Sequence, residues 1–467
     1  MDRQLKDIVP NRRDLLKWGG AALATAYVDR IVWPMKVSAA AQVTPRATAR
    51  NAIMIELPGA ISQPDCWDFK ETRFTVKDLD VQKVRSDLYL SKTLFPNYAD
   101  WAPRSAFVRS LRALELGHFT GQYHTQTGRA LNAAVSKEIP AFGSVIAAEL
   151  DHQRRESDSF PTYMSVNLGG SRPGAIGAGF FPARFTGMDL DSATALGSFG
   201  GGGSATEALE VRYDALMKLS EVSPAERASL GDLASDYKAY YQSAYTLLDD
   251  PRFKKVFDVS EEEKERYGTE TFGLRCILAK NILAADAGAR FVYVIDGRQP
   301  WDHHSFIFDR TKPTNHYVTC LAWDKAFSNL IKDMASMPGH EAGKSLLDET
   351  IVLATSEFGR MPVMNNVEGR DHYGETYTSF LVGGGVKPGR IIGVTDELAA
   401  KCLDTGWKHP QQPSMDNLLA TIYSALGIDW TKKVENTPSG RAYEYQQFAP
   451  IGGGEFLAHD AIDEVFE

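Results

Sequence analysis

Three stretches of this 467-residue chain hold acids and imidazoles where a fold can gather them. In the first, the apolar run Ile351 to Ala354 leads into Ser356-Glu357-Phe358-Gly359-Arg360, and Gly369-Arg370-Asp371-His372 follows on the same loop. In the second, Phe291-Val292-Tyr293-Val294-Ile295 leads into Trp301-Asp302-His303-His304. In the third, Ala52 to Leu57 leads into a loop carrying Asp65 and Asp68. Carboxylates together with imidazoles suit a cation that takes mixed oxygen and nitrogen ligands. Such an ion polarises an ester oxygen or lowers the pKa of a bound water. From spacing alone the Glu357 stretch reads equally well as a surface loop with an ordinary ion pair.

The elements that must position these groups are short apolar runs with the composition of strands buried on both faces. An acid just past the carboxyl end of such a strand lies where open α/β sheets build their sites. The order strand, acidic loop, helix recurs. It predicts an α/β fold with one mostly parallel sheet and helices on both faces. Residues 105–116 fit a helix or a strand–helix junction. Residues 160–203, rich in Gly and Pro, read as long loops and a flexible joint, since no phosphate-loop pattern is present. Residues 204–285 read as a helical insertion or cap. Ser223-Pro224-Ala225-Glu226 forms a capping box there, and Tyr237, Tyr240 and Tyr241 form a packing stripe. Phe380-Leu381-Val382 and Ile391-Ile392-Gly393-Val394 are two more strand candidates, the latter read as a hairpin edge. Ser414 caps a late helix with Leu418, Leu419, Ile422 and Tyr423 inward, stopped by Gly427. The tail 451–467 is weakly patterned and reads as surface cover.

Net charge is −9. A chain this acidic is a poor partner for nucleic acid. The cysteines, Cys66, Cys276, Cys320 and Cys402, form no CxxC pair, which disfavours a cysteine-rich zinc site. Residues 1–40 read as an address. Asn11-Arg12-Arg13-Asp14-Leu15-Leu16-Lys17 precedes an apolar stretch, and Val37-Ser38-Ala39 gives a small-x-small cleavage pattern. This resembles a twin-arginine export signal and implies a periplasmic or secreted protein. No stretch reaches the length of a permanent membrane span.

The motifs Ser356-Glu357-Phe358-Gly359-Arg360, Gly369-Arg370-Asp371-His372 and Trp301-Asp302-x-His304, with the late helix after His409-Pro410, resemble a bacterial family of exported proteins known only as a domain of unknown function. That family is similar in fold to the alkaline phosphatase, sulfatase and phosphoglycerate mutase superfamily. The resemblance covers residues 45–450. It implies an acid after the first strand, matched by Asp65. It implies an acid and a histidine after a middle strand, matched by Asp302 and His304, then an acid at Glu357 and a final histidine at His372. The nucleophile position, nine residues before Thr127-Gly128, falls on His118 instead of Ser, Thr or Cys, with Thr120 as a substitute. Phe358 stands where an imidazole is usual, which weakens a second metal site.

The expected activity is therefore that of an exported metal-dependent hydrolase or transferase acting on phosphate or sulfate esters. One divalent ion (zinc, manganese or calcium) would be held by Asp65, Asp302, His304, Glu357 and His372, or by a subset. Arg360 or Arg370 would pair with an anionic oxygen of a small-molecule or glycan ester. His118 is a nucleophile, a ligand or a relic. Asp68 reads as a turn or cap residue, His303 as a neighbour, and His124 and His316 as surface or packing histidines. The alternative is an exported binding or assembly protein that keeps the fold without chemistry.

Overall fold

A computed structural model of the protein describes residues 37–39, 43–199, 246–268, 271–447, 450–452, 455–456 and 458–467. Its centre is an eight-stranded sheet. In chain order the strands are β1 (Asn51–Glu56), β2 (Ala106–Leu111), β3 (Tyr163–Val166), β4 (Met188–Leu190), β5 (Phe291–Ile295), β6 (Thr350–Thr355), β7 (Tyr377–Val382) and β8 (Ile391–Ile392). Across the sheet they run β8-β2-β7-β6-β1-β5-β3-β4. β1 is central and pairs in parallel with β5 and β6, Ile53 lying opposite both Val292 and Val352. β7 alone is reversed, antiparallel to its neighbours β2 and β6. The mostly parallel α/β sheet expected from the apolar runs is therefore present. β1, β5 and β6 are buried at every position, as strands covered on both faces must be.

Two apolar layers cover the sheet. Helices α3 (Thr271–Ala284) and α4 (His316–Ser336) build one, with Ile277, Ile282, Trp323 and Phe327 packed on Val292 and Val352. Helices α2 (Phe142–Leu150) and α5 (Met415–Ala425) build the other, with Val145, Leu418 and Ile422 packed on Met54, Tyr293 and Leu353. Ser414 caps α5 as expected, through a capping box with Asn417.

Several readings change. Residues 160–203 are not only loops: they contain β3, β4 and the helix Ser192–Phe199. A four-residue strand with a proline before it and glycines after it leaves too few positions for a period to show. The run Ile391–Val394 is divided: Ile391–Ile392 is a parallel edge strand on β2, and Val394–Thr395 forms a hairpin with Cys402–Asp404. Residues 105–116 form a strand and the run-in to helix α1 (His118–Thr127). The tail is inserted more than draped, with Ala461, Ile462 and Val465 fully buried. Within 204–285, the capping box and the tyrosine stripe lie outside the described residues. The helices Pro251–Val256, Glu261–Tyr267 and α3 are described, and α3 belongs to the main core. Of residues 1–40, only Val37–Ala39 is described, as a strand against Lys432–Val434. Among the described residues, no helix is long and apolar enough to cross a membrane.

Candidate metal centre

The loops after β1, β5 and β6 leave the same edge of the sheet, because the three strands are parallel neighbours. They meet closely. Gly59, after β1, has φ +101°, and a Cβ there would lie 2.4 Å from the Asp302 amide nitrogen. Only glycine takes that conformation freely and leaves that space. Helix α1 begins at the same edge. Gly121 lets it approach, since a Cβ at 121 would lie 2.8 Å from Cβ of Glu357.

Three imidazoles converge on one carboxylate oxygen. Asp302 Oδ1 lies 3.0 Å from His304 Nε2, 3.3 Å from His118 Nε2 and 3.7 Å from His372 Nε2. In each ring the opposite nitrogen is anchored outward. His118 Nδ1 donates to Glu357 Oε1 at 2.8 Å, His304 Nδ1 to Asp371 Oδ1 at 2.8 Å, and His372 Nδ1 to the Leu116 carbonyl at 2.7 Å. These acceptors orient the rings and leave the three Nε2 atoms facing inward. The Nε2 atoms of His304 and His372 stand 3.0 Å apart, and His118 Nε2 is buried without a hydrogen-bond partner. Lone pairs so arranged repel unless a proton or a cation lies between them. The four inward atoms all lie within 4.8 Å of one another. A tetrahedral ion with ligands at about 2.0–2.2 Å needs edges of about 3.3 Å, so the set fits. Imidazoles held by a second carboxylate or carbonyl are the usual surroundings of a metal.

The charges are coupled. Burial lowers the pKa of His118, but Asp302 and Glu357 outweigh it and push it up to about 9. Burial raises Asp302, but His118, His372 and Arg360 hold it below the usual carboxylate range. Arg360 is buried and reaches Asp302 Oδ1 with Nη2 at 2.5 Å and His304 Nε2 with Nη1 at 3.3 Å. It also donates to the carbonyls of Gly59, Ala60 and Arg370. His303 faces elsewhere, its ring 5.5 Å from that of His316, and burial, followed by the charge on His316, pushes it down to about 3.

Other expected site residues are placed differently. Asp65 does not join the cluster. Its carboxylate takes Arg370 Nε at 2.7 Å and Nη2 at 2.9 Å, with Ser62 Oγ at 2.6 Å. Arg370 spends its remaining donors on the carbonyls of Met361 and Pro362, so it is not free to hold an anion. This buried pair instead anchors the loop that presents Asp371 and His372. Glu357 stands one ring away from the convergence point, holding His118 and accepting the Gly59 amide at 2.9 Å. Thr120 bonds the Gly117 carbonyl within its own helix turn. Arg360 pairs with Asp302, not Glu357. Asp68 lies in a turn, as expected, and its buried carboxylate also pairs with Arg109 and Lys70. His124 and His316 are both buried, His124 against Asp416 at 2.9 Å and His316 against Cys66 at 3.1 Å. Gln122, whose Nε2 lies 3.4 Å from Glu357 Oε1, was missed, and Asp371, read only as an acid of its loop, anchors His304. Gln122 is one turn after His118, and Asp371 is the acid beside His372.

Beneath the site, Glu56 is fully buried at the end of β1 and accepts Tyr293 Oη at 2.8 Å. Burial, with the charge of Glu357, raises it well above its ordinary value of 4.5. Stability carried by such a group is complete below the unfolded-state pKa and declines as pH rises above it, because only the unfolded chain then gives up the proton readily. Glu56→Gln removes that dependence. Melting curves should coincide with wild type at about pH 4 and lie higher for the variant by about pH 8. A variant that melts lower at the alkaline end contradicts a neutral Glu56.

Comparison with known families matches residues 49–449 to the family described as Protein of unknown function (DUF1501). No curated protein matches. Similar solved structures include the lipoteichoic acid synthase LtaP from Listeria monocytogenes, 8% identical over 87% of this chain and 78% of that one, TM-score 0.37. A protein in the alkaline phosphatase superfamily from Vibrio parahaemolyticus is 13% identical over 87% and 74%, TM-score 0.35. A phosphonate monoester hydrolase from Silicibacter pomeroyi is 11% identical over 84% and 75%, TM-score 0.38.

Proposed function

We propose, from the premise that this chain belongs to the DUF1501 family of proteins of unknown function, that it is a metal-dependent hydrolase or transferase acting on phosphate or sulfate esters. The observation that carries the reading is the convergence of three outward-anchored imidazoles on Asp302 Oδ1. His118, His304, His372 and Asp302 would hold the ion, with Glu357, Asp371 and the Leu116 carbonyl fixing the rings. Three imidazoles and one carboxylate suit zinc or manganese better than calcium, which takes oxygen ligands. When bound, the ion supplies Lewis acidity and an activated water. Of the four ligands His304 is the most open, its side chain 44% exposed, so substrate would enter from its side. The start of α1 at His118 adds the positive end of a helix, which favours an anionic group. Arg360 orients Asp302 and balances its charge.

With His118 spent on the ion and Thr120 on its own helix, water is the nucleophile this site favours. Phe358 supports a single ion: its ring packs 4.4 Å from His372 and 5.1 Å from His118. The same ring also favours the second reading, a binding or assembly protein, because it fills the place of a second ligand set with hydrocarbon. We further propose export by the twin-arginine route, which the leader 1–40 suggests; N-terminal sequencing of the exported chain checks it.

The test is turnover of aryl phosphate, phosphodiester and aryl sulfate by untagged protein loaded with zinc or manganese. Activity should vanish in His118→Ala and persist in His152→Ala, a histidine on the surface. Metal-loaded protein that turns over none of these esters sinks the hydrolase reading and leaves the binder.

A further inference from the structure

A second cluster lies deeper, on the other side of the Asp302 loop. Cys66 follows the short turn Gln63–Asp65 after β1, while His316 and Cys320 stand one turn apart on one face of α4. All three are buried, at 1% exposure or less. Their ligand atoms lie within 4.8 Å of one another, and Cys66 Sγ is 3.1 Å from His316 Nε2. We propose that Cys66, His316 and Cys320 form a zinc site distinct from the Asp302 centre.

Three arguments support it. The geometry is close: zinc with sulfur at about 2.3 Å and nitrogen at about 2.0 Å separates its ligand atoms by about 3.5–3.8 Å. The cluster needs only a small opening to accept the ion. The charge balances, because two thiolates and a neutral imidazole cancel a dication, so no net charge is buried. Binding releases to solvent the protons that the thiols and the imidazole must give up to ligate. The surroundings hold unused donors. His303 is only 6% exposed, and neither of its ring nitrogens has a hydrogen-bond partner. Its ring stands edge-on to that of His316, 5.5 Å away. His316 Nδ1 is also without a partner. Buried nitrogens left unpaired are costly, and an ion with its ligands is one way to use them.

Thiolate ligands select zinc over magnesium, calcium or manganese. The chain would thus sort two ions by ligand type, with sulfur and nitrogen inside and oxygen and nitrogen at the surface. Asp302 and His304 flank His303, and Asp65 precedes Cys66, so an ion here would stiffen two of the loops that build the upper site. Its role is positional and touches no substrate.

The experiment is cobalt titration of reduced, metal-free, full-length protein. Wild type should develop a thiolate-to-cobalt charge-transfer band, which zinc then bleaches. Cys66→Ser/Cys320→Ser should lose the band and one equivalent of bound metal, while Cys276→Ala keeps both. Wild-type protein that binds cobalt without the charge-transfer band overturns the proposal, whatever the variants do. So does as-purified protein in which denaturation exposes only two titratable thiols without reductant, since Cys66 and Cys320 are then joined to each other. Failure of the upper site shows instead as lost ester turnover with the band intact, so the two readings fail separately.

Discussion

Asp302→Asn is expected to strip the metal from the surface centre and cut ester turnover by about 10²- to 10³-fold, the loss seen when one preorganised charge-stabilising group is removed. Its Oδ1 is the atom on which His118, His304 and His372 all converge, and among the described residues it is the only carboxylate in that ligand group. Losing a group that merely orients a ligand costs about 10- to 100-fold in metal affinity, and losing a ligand should cost more. Asparagine keeps the shape but not the charge. Arg360, only 1% exposed, then loses its counter-charge, and His118 loses one of the two carboxylates that keep it protonated. The checks are elemental analysis and steady-state kinetics, with circular dichroism to show that the variant is folded. Undiminished metal and turnover would mean that the cluster is a lattice of ion pairs and nothing more.

Asp65→Asn should be the most destabilising single change, by about 3–5 kcal/mol, because it leaves a buried guanidinium unpaired. Both side chains of the Asp65–Arg370 pair are almost wholly enclosed, at 2% and 1% exposure, and the contact is bidentate. The damage should spread. Arg370 ties Met361 and Pro362 to the segment that ends in Asp371 and His372, so metal affinity should fall as well. Asp65→Leu with Arg370→Met should recover most of the lost stability, since an apolar pair of similar volume often matches a buried ion pair. Urea unfolding of the three proteins measures this. A double variant as unstable as Asp65→Asn would show that hydrogen bonds to the loop, not charge, hold it together.

The central sheet was legible because β1, β5 and β6 are apolar at nearly every position, and burial on both faces demands that. Asp302, His304 and His372 were legible as members of one cluster because they follow such strands or share a loop with one that does. Asp65 follows a strand too, yet turns to Arg370, 305 positions away. Nothing local to Asp65 distinguishes a ligand from an ion-pair partner, since both need a carboxylate at a strand end. His316 was left between surface and packing for a related reason. It opens a helix, where a histidine usually meets water, and its burial depends on Cys66 arriving from 250 positions earlier. The spacing of His316 and Cys320, four apart on one helix face, was the available clue. β3 and β4 escaped because they are short and their glycine-rich flanks look like linker.

The central strand has a bearing on synthesis. Asn51–Glu56 emerges early from the ribosome, but both its neighbours, Phe291–Ile295 and Thr350–Thr355, come much later. Until then its two edges have nothing to pair with, and unpaired apolar edges invite association with other chains. A cell making this protein must shield the first half of a nascent polypeptide for most of its translation. Pairings this distant in sequence close slowly and late, after Thr350–Thr355 has been made.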